Sequence, residues 1–207
     1  DYGLRFNLSA FYYDYRDQQV QSAVVNPLTG LVGSIINAPK SHLWGGEAEL
    51  VWEPVPNLRI SETLALAKGK FDRFATIGTA VLVGGQYVGV PTDRKGEREF
   101  APEFTTSGSI SYLWEVGDYR LTPSVSYSSR SNYHSIFGRL YDVAGYTLVD
   151  ASLTLAPADD RWSLMLFGQN IFDKRYDVTR NFFVAGNDMA VAGAPAVWGV
   201  RFSVAYR

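Results

Sequence analysis

Three polar, ring-bearing stretches of the chain hold the residues best suited to grip a small molecule. The first carries Tyr87, Arg94 and Arg98, the second Tyr133, His134, Phe137, Arg139 and Tyr141, and the third Arg180, Phe182 and Phe183. Guanidinium groups donate charge-assisted hydrogen bonds to anions, and aromatic rings stack on flat or cationic groups. Together they suit a polar, anionic, partly aromatic ligand. Taken singly, each would equally serve to pack or solvate its loop; as a set they mark where a binding site should be.

Covalent and metal chemistry finds less support. His42 and His134 are far apart and cysteine is absent, so a metal site would need loop carboxylates. Asp159-Asp160 reads as a turn pair, and Gly84-Gly85 lacks the Gly-Lys-Ser/Thr context of a phosphate loop. Glu47 and Glu49 share a parity as solvated residues rather than as a catalytic pair. No nucleophile with a matching base is legible, so catalytic, cofactor and metal residues are not expected and the chain reads as a non-enzyme.

The elements that must position these residues are strands. The chain has 207 residues, 19% charged and 14% aromatic, with a formal net charge of -2, which argues against a nucleic-acid binder. Leu4, Phe6, Leu8, Ala10 and Tyr12 alternate with Arg5, Asn7, Ser9, Phe11 and Tyr13, a two-residue period that continues toward Val25. Similar alternation follows around Trp44–Trp52, Leu58–Ala67, Phe104–Trp114, Tyr119–Ser128, Val149–Leu155, Trp162–Phe167 and Trp198–Tyr206, giving eight candidate strands. In the third strand Glu62 falls on the apolar parity, a misfit, and Pro123 in the fifth predicts a bulge or weak pairing. Short turns at 53–57, 115–118 and 157–160 alternate with long connections at 74–99, 131–145 and 173–197; the connection at 26–30 is the short exception.

No apolar stretch is long enough for a transmembrane helix, but strands of about ten residues cross a bilayer at a mean hydropathy near neutral, here -0.08. Trp52, Trp114 and Trp162 sit beside the short turns, with Trp44 and Trp198 nearer the loop ends, as two aromatic girdles would require. The fold class expected is therefore all-β, an antiparallel transmembrane barrel. The inward parity is mostly Ser, Thr, Ala and Gly, too small to fill an eight-stranded barrel, which favours a portion of a larger one of about 22 strands. A soluble all-β sandwich is the competing reading.

The run Gly168-Gln169-Asn170-Ile171-Phe172-Asp173-Lys174-Arg175-Tyr176, followed by a loop and a closing amphipathic strand, resembles the C-terminal end of TonB-dependent outer-membrane receptors. Ile36-Asn37-Ala38 leading into Trp44-Gly45-Gly46-Glu47-Ala48-Glu49-Leu50, and Tyr146-Thr147-Leu148-Val149-Asp150-Ala151-Ser152-Leu153, resemble other barrel segments of that family in the same order. The resemblance implies an outer-membrane receptor of a Gram-negative cell that takes up a scarce nutrient, foremost a ferric siderophore, by active transport. Its implied partners are outer-membrane lipid, an N-terminal plug and a TonB-type energising protein. On this reading residues 1–207 are a single barrel segment, with plug domain and signal peptide absent. Family barrels commonly end in an aromatic, whereas here Arg207 follows Tyr206, so a fragment is expected. The alternative is a self-contained small structural or adhesion barrel without active transport.

Overall fold

A computed structural model describes residues 3–98, 101–136, 141–182 and 188–205. Eight strands form one antiparallel meander: β1 (Leu4–Asn26), β2 (Gly30–Trp52), β3 (Leu58–Arg73), β6 (Phe104–Tyr112), β8 (Tyr119–Arg130), β11 (Tyr146–Pro157), β12 (Trp162–Gln169) and β15 (Val197–Val204). These are the eight expected from alternation. The first and last, β1 and β15, each have one neighbour, so the sheet is open along both edges. The short strand β7 (Trp114–Val116) also pairs β8.

Proline explains that extra strand. Ser111 pairs Ser124 and Trp114 pairs Leu121 in the same register, so β6 and β7 are one strand interrupted opposite Pro123 and Thr122. A proline has no N–H to give to the ladder. Leu113 N donates instead to Asn57 O across the other edge, at 3.0 Å. The weak pairing expected from Pro123 is therefore present without a shift of register. The short turns are closed by residues that tolerate left-handed backbone: Asn57 (φ 68°), Gly117 (φ 60°) and Asp160 (φ 55°).

One face of this sheet is apolar and, among the described residues, lies open. Leu8 is 74% exposed and Val200 64%, and Phe6, Val125, Leu166 and Phe202 are exposed on the same parity. In water, so continuous a patch would be an aggregation surface; against hydrocarbon it is at equilibrium. Among the described residues no helix is long and apolar enough to cross a membrane. Register supplies the tilt. Stepping strand by strand from Trp198 leads through Gly168, Ala151, Val125, Ile110 and Ile60 to Trp52, from the loop end to the turn end. At roughly 4.8 Å a step and a tilt near 40°, that row descends about 19 Å, most of the ~25 Å apolar band of an outer-membrane barrel.

The interior core lies in the loop region rather than in the wall. The connection at 74–99 contains a β-hairpin, β4 (Ala75–Val83) and β5 (Gln86–Asp93), turned by Gly84 and Gly85 at positive φ. The hairpin covers the far ends of β1 and β2, where Val20, Ala38, Phe71 and Phe74 form a buried cluster with Ile36 against it. Ser22 and Thr76 satisfy one another inside this contact, 2.6 Å apart. The third long connection likewise contains a hairpin, β13 (Asp177–Phe182) with β14 (Asp188–Ala192), and the second a minimal pair, β9 (Tyr133–His134) with β10 (Asp142–Val143).

Candidate ligand site at the loop end

Asn170 fixes the base of the third long connection. It sits in left-handed backbone (φ 48°), which Asn accepts more readily than most residues, and it is buried. Its Nδ2 donates to Lys174 O and Ala194 O, both at 3.0 Å, while its Oδ1 accepts from Lys174 N at 2.9 Å. One side chain thereby ties together the outgoing and returning ends of the connection. Asp150 Oδ1 accepts the Asn170 N–H at 2.7 Å, and Asp173 Oδ1 accepts the Ala196 N–H at 3.0 Å. Gly168 is required nearby because a Cβ there would meet the Trp198 ring at 2.5 Å.

Above this base an aromatic and cationic stack assembles. Tyr146, at the loop end of β11, pairs Arg130 across the β8 ladder. The Arg130 guanidinium lies 4.3 Å from the Tyr146 ring centroid and 5.1 Å from that of Tyr133, and Nη2 donates to Val178 O at 3.0 Å. Tyr176 continues the stack, its centroid 4.2 Å from Tyr146, over Gly193, where a Cβ would strike the ring.

A cavity of about 900 Å³ opens between the second and third connections, walled by Asp142, Tyr146, Lys174, Arg175, Tyr176 and Arg180 among others. Tyr146 also lines a smaller hollow of about 260 Å³ on the polar face, with Thr63, Thr105, Ser107 and Ser128. The larger cavity thus continues onto a wall of hydroxyl groups. Its charge is set by what is already neutralised. Arg180 Nε donates to Asp177 at 2.8 Å, and Asp142 accepts from His134. Lys174, Arg175 and Asp173 line the cavity and make no ion pair among the described residues, so two cations and one carboxylate stand open on its wall.

The residues expected from sequence divide into groups. Arg98, Tyr133, His134 and Arg180 lie in the network that laces the loops: Arg98 reaches His134 at 3.5 Å and Glu103 at 3.5 Å, Tyr133 donates to Val178 O at 2.8 Å, and Arg180 N donates to Ser135 at 3.1 Å. Tyr141 joins through its backbone, its carbonyl accepting from Ser135 N at 3.0 Å. Tyr87 and Arg94 belong to the first loop instead. The Tyr87 ring covers Gly30, and Arg94 pairs Glu97 at 3.1 Å. Phe182 ends β13, and Phe137, Arg139 and Phe183 lie outside the described residues. Lys174, Arg175, Tyr176 and Tyr146 line the cavity without being among the ligand residues expected from sequence. Two cations followed by an aromatic at the entry to a long connection are the signal that could have found them.

The fold and its loop-end cavity define a segment of a receptor-type membrane barrel. The family described as TonB dependent receptor-like, beta-barrel, matches residues 1–171, and the chain belongs to it. Among solved structures, the ferric yersiniabactin uptake receptor FyuA from Yersinia pestis is similar over 97% of this chain, with a TM-score of 0.70 and 17% identity. At that identity the likeness is one of fold. The chain spans 27% of the length of that receptor. No curated protein matches the sequence. Proteins of this family are outer-membrane receptors and transporters rather than enzymes.

Proposed function

We propose that this chain forms wall and extracellular loops of an outer-membrane receptor that takes up a scarce nutrient by active transport, with a ferric siderophore as the leading ligand class. The observation that carries the reading is the loop-end cavity. Unpaired Lys174 and Arg175 and the rings of Tyr146 and Tyr176 face it, and it leads onto the hydroxyl-rich face of the sheet. Cations and rings hold an anionic, partly aromatic chelate at the mouth. A wall of Ser and Thr then offers many weak, exchangeable hydrogen bonds, which suits passage better than retention. The likeness to FyuA, a ferric yersiniabactin uptake receptor, favours the same ligand class. In a complete receptor, a plug would occupy the lumen and a TonB-type protein would energise release.

The test is to make Lys174→Ala with Arg175→Ala in the complete receptor and measure binding of a panel of iron-loaded siderophores to displayed protein. A loss of about 1.5–3 kcal/mol per charged hydrogen bond is expected for the cognate ligand. Unchanged binding across the panel would remove this cavity from the ligand path.

A further inference from the structure

The hairpin of β4 and β5 is uncharged: from Phe74 to Thr92 the sequence holds no Asp, Glu, Lys or Arg. It stands at the far ends of β1 and β2, beyond the girdle residue Trp44, where no hydrocarbon surrounds it. Yet Leu82 is 63% exposed and Val83 58%, with Val81 and Val88 exposed beside them. Apolar side chains gathered at such a tip mark a contact surface.

Backbone groups at the tip are open as well, and the turn decides which. Gly84 and Gly85, both at positive φ, form a two-residue turn between Val83 and Gln86. Such a turn makes Val83 and Gln86 a hydrogen-bonded pair, so the next pair, Leu82 and Tyr87, directs its N–H and C=O groups away from the hairpin. Tyr87 follows that rule: its N–H donates outward to Pro27 O at 2.9 Å, which seats β5 on the turn between β1 and β2. Leu82 and, by the same alternation, Ala80 direct theirs out of the opposite edge, along β4. Among the described residues that edge is unpaired: β4 has β5 as its strand partner, and neither Ala80 nor Leu82 makes a backbone bond beyond the hairpin. Sheet edges are usually guarded by lysine, proline or an inward charge. From Thr79 to Val83 there is none of these, and the bulge between Ile77 and Thr79 lies toward the base.

We infer that β4 is a strand-addition edge through which two copies of the receptor pair, β4 against β4, antiparallel about a two-fold axis at Val81. Strand addition needs a partner that offers N–H and C=O groups at alternate residues. A second copy of the same edge offers them reciprocally. Ala80 of each copy falls opposite Leu82 of the other, which is the relation a closed two-fold contact requires. Val81 then meets its counterpart in a non-hydrogen-bonded position, where side chains come closest. An uncharged edge meets no like-charge repulsion when it pairs with itself. The product is a four-stranded sheet in the order β5-β4-β4-β5, in which Val81 and Leu82 gain cross-strand neighbours.

The complete receptor in detergent should therefore run as a dimer. The variant Ala80→Lys/Leu82→Lys puts lysine directly opposite lysine twice and should weaken association about tenfold or more. Mixing it with Ala80→Glu/Leu82→Glu should restore dimers of one copy of each, a recovery that also shows both variants to be folded. Val81→Cys supplies the single thiol of this cysteine-free segment and should oxidise to a cross-linked dimer, whereas Leu28→Cys, exposed on the neighbouring turn, should not. A dimer that persists undiminished in Ala80→Lys/Leu82→Lys, or the lack of a cross-link in Val81→Cys, would overturn the pairing. So would a wild-type receptor that stays monomeric, and slow amide exchange at Ala80 and Leu82 in that monomer would assign the edge to another segment of the same receptor.

Discussion

The Tyr127 hydroxyl donates to Glu62 Oε1 at 2.7 Å across an intervening strand. Glu62 in β3 and Tyr127 in β8 both pair with Gly108 in β6, so the three positions form one row. The missing side chain of Gly108 is what lets the outer two meet. Thr106 adds a second donor to the same oxygen at 2.5 Å. An acid on the apolar parity is thereby given two hydroxyl donors instead of facing hydrocarbon alone.

Filling that gap should break the contact. A Cβ on Gly108 would lie 2.2 Å from Glu62 Oε2 and 2.7 Å from Tyr127 Cε1. Gly108→Val is therefore expected to destabilise the barrel by about 1–3 kcal/mol, the cost of overpacking against Glu62 and the Tyr127 ring. Tyr127→Phe, which removes one donor to Glu62, should cost about 1 kcal/mol, and the Gly108→Val penalty should persist in that background because phenylalanine keeps the ring carbon that the new side chain meets. Thermal unfolding of the complete receptor, followed by gel mobility, reads both.

Asn170 offers a local test of loop anchoring. Asn170→Gly keeps the left-handed backbone but loses the side-chain bonds to Lys174 and Ala194. Each such bond contributes about 1 kcal/mol net. The expected result is faster proteolysis within 173–197 with the barrel itself still resistant. Unchanged proteolysis would show that the connection is held elsewhere.

The two sets of cations at the loop end should behave differently. Arg180 is already engaged by Asp177, at 2.7 Å, whereas Lys174 and Arg175 have no acidic partner among the described residues. Ligand affinity in the complete receptor should fall further in Lys174→Ala/Arg175→Ala than in Arg139→Ala/Arg180→Ala. Equal losses would mean that Arg180 leaves Asp177 to meet the ligand.

Strand parity was legible because each wall residue's face is decided by its neighbours two positions away. The same local rule located the interruption opposite Pro123. Glu62 remained a misfit because its partners lie 44 and 65 residues along the chain, and only the register of three strands brings them together. The hairpin β4–β5 lies within a long connection whose turn signal, Gly84-Gly85 between Val83 and Tyr87, is local while its packing is not. The long reach of β1 is in the period that continues toward Val25, but nothing in that period says that a hairpin from residues 75–93 covers it. The cavity's free cations were masked by the opposite problem: Lys174, Arg175 and Tyr176 sit in a run read as strand-and-turn signature, and Tyr146 in another. Whether a cation is free depends on where the carboxylates fall in space, and composition does not tell.

The wall has a lipid face and a lumen face that alternate residue by residue. The chain contains no cysteine, so single cysteines introduced into the complete receptor at Leu8, Leu64, Val125 and Leu153, and at Asn7, Thr63, Ser126 and Ser152, give unique spin-label sites within it. In reconstituted bilayers the first group should collide with oxygen, which partitions into lipid, and be shielded from a water-soluble nickel complex, while the second group should show the reverse. Similar accessibility for adjacent residues such as Asn7 and Leu8 would contradict it.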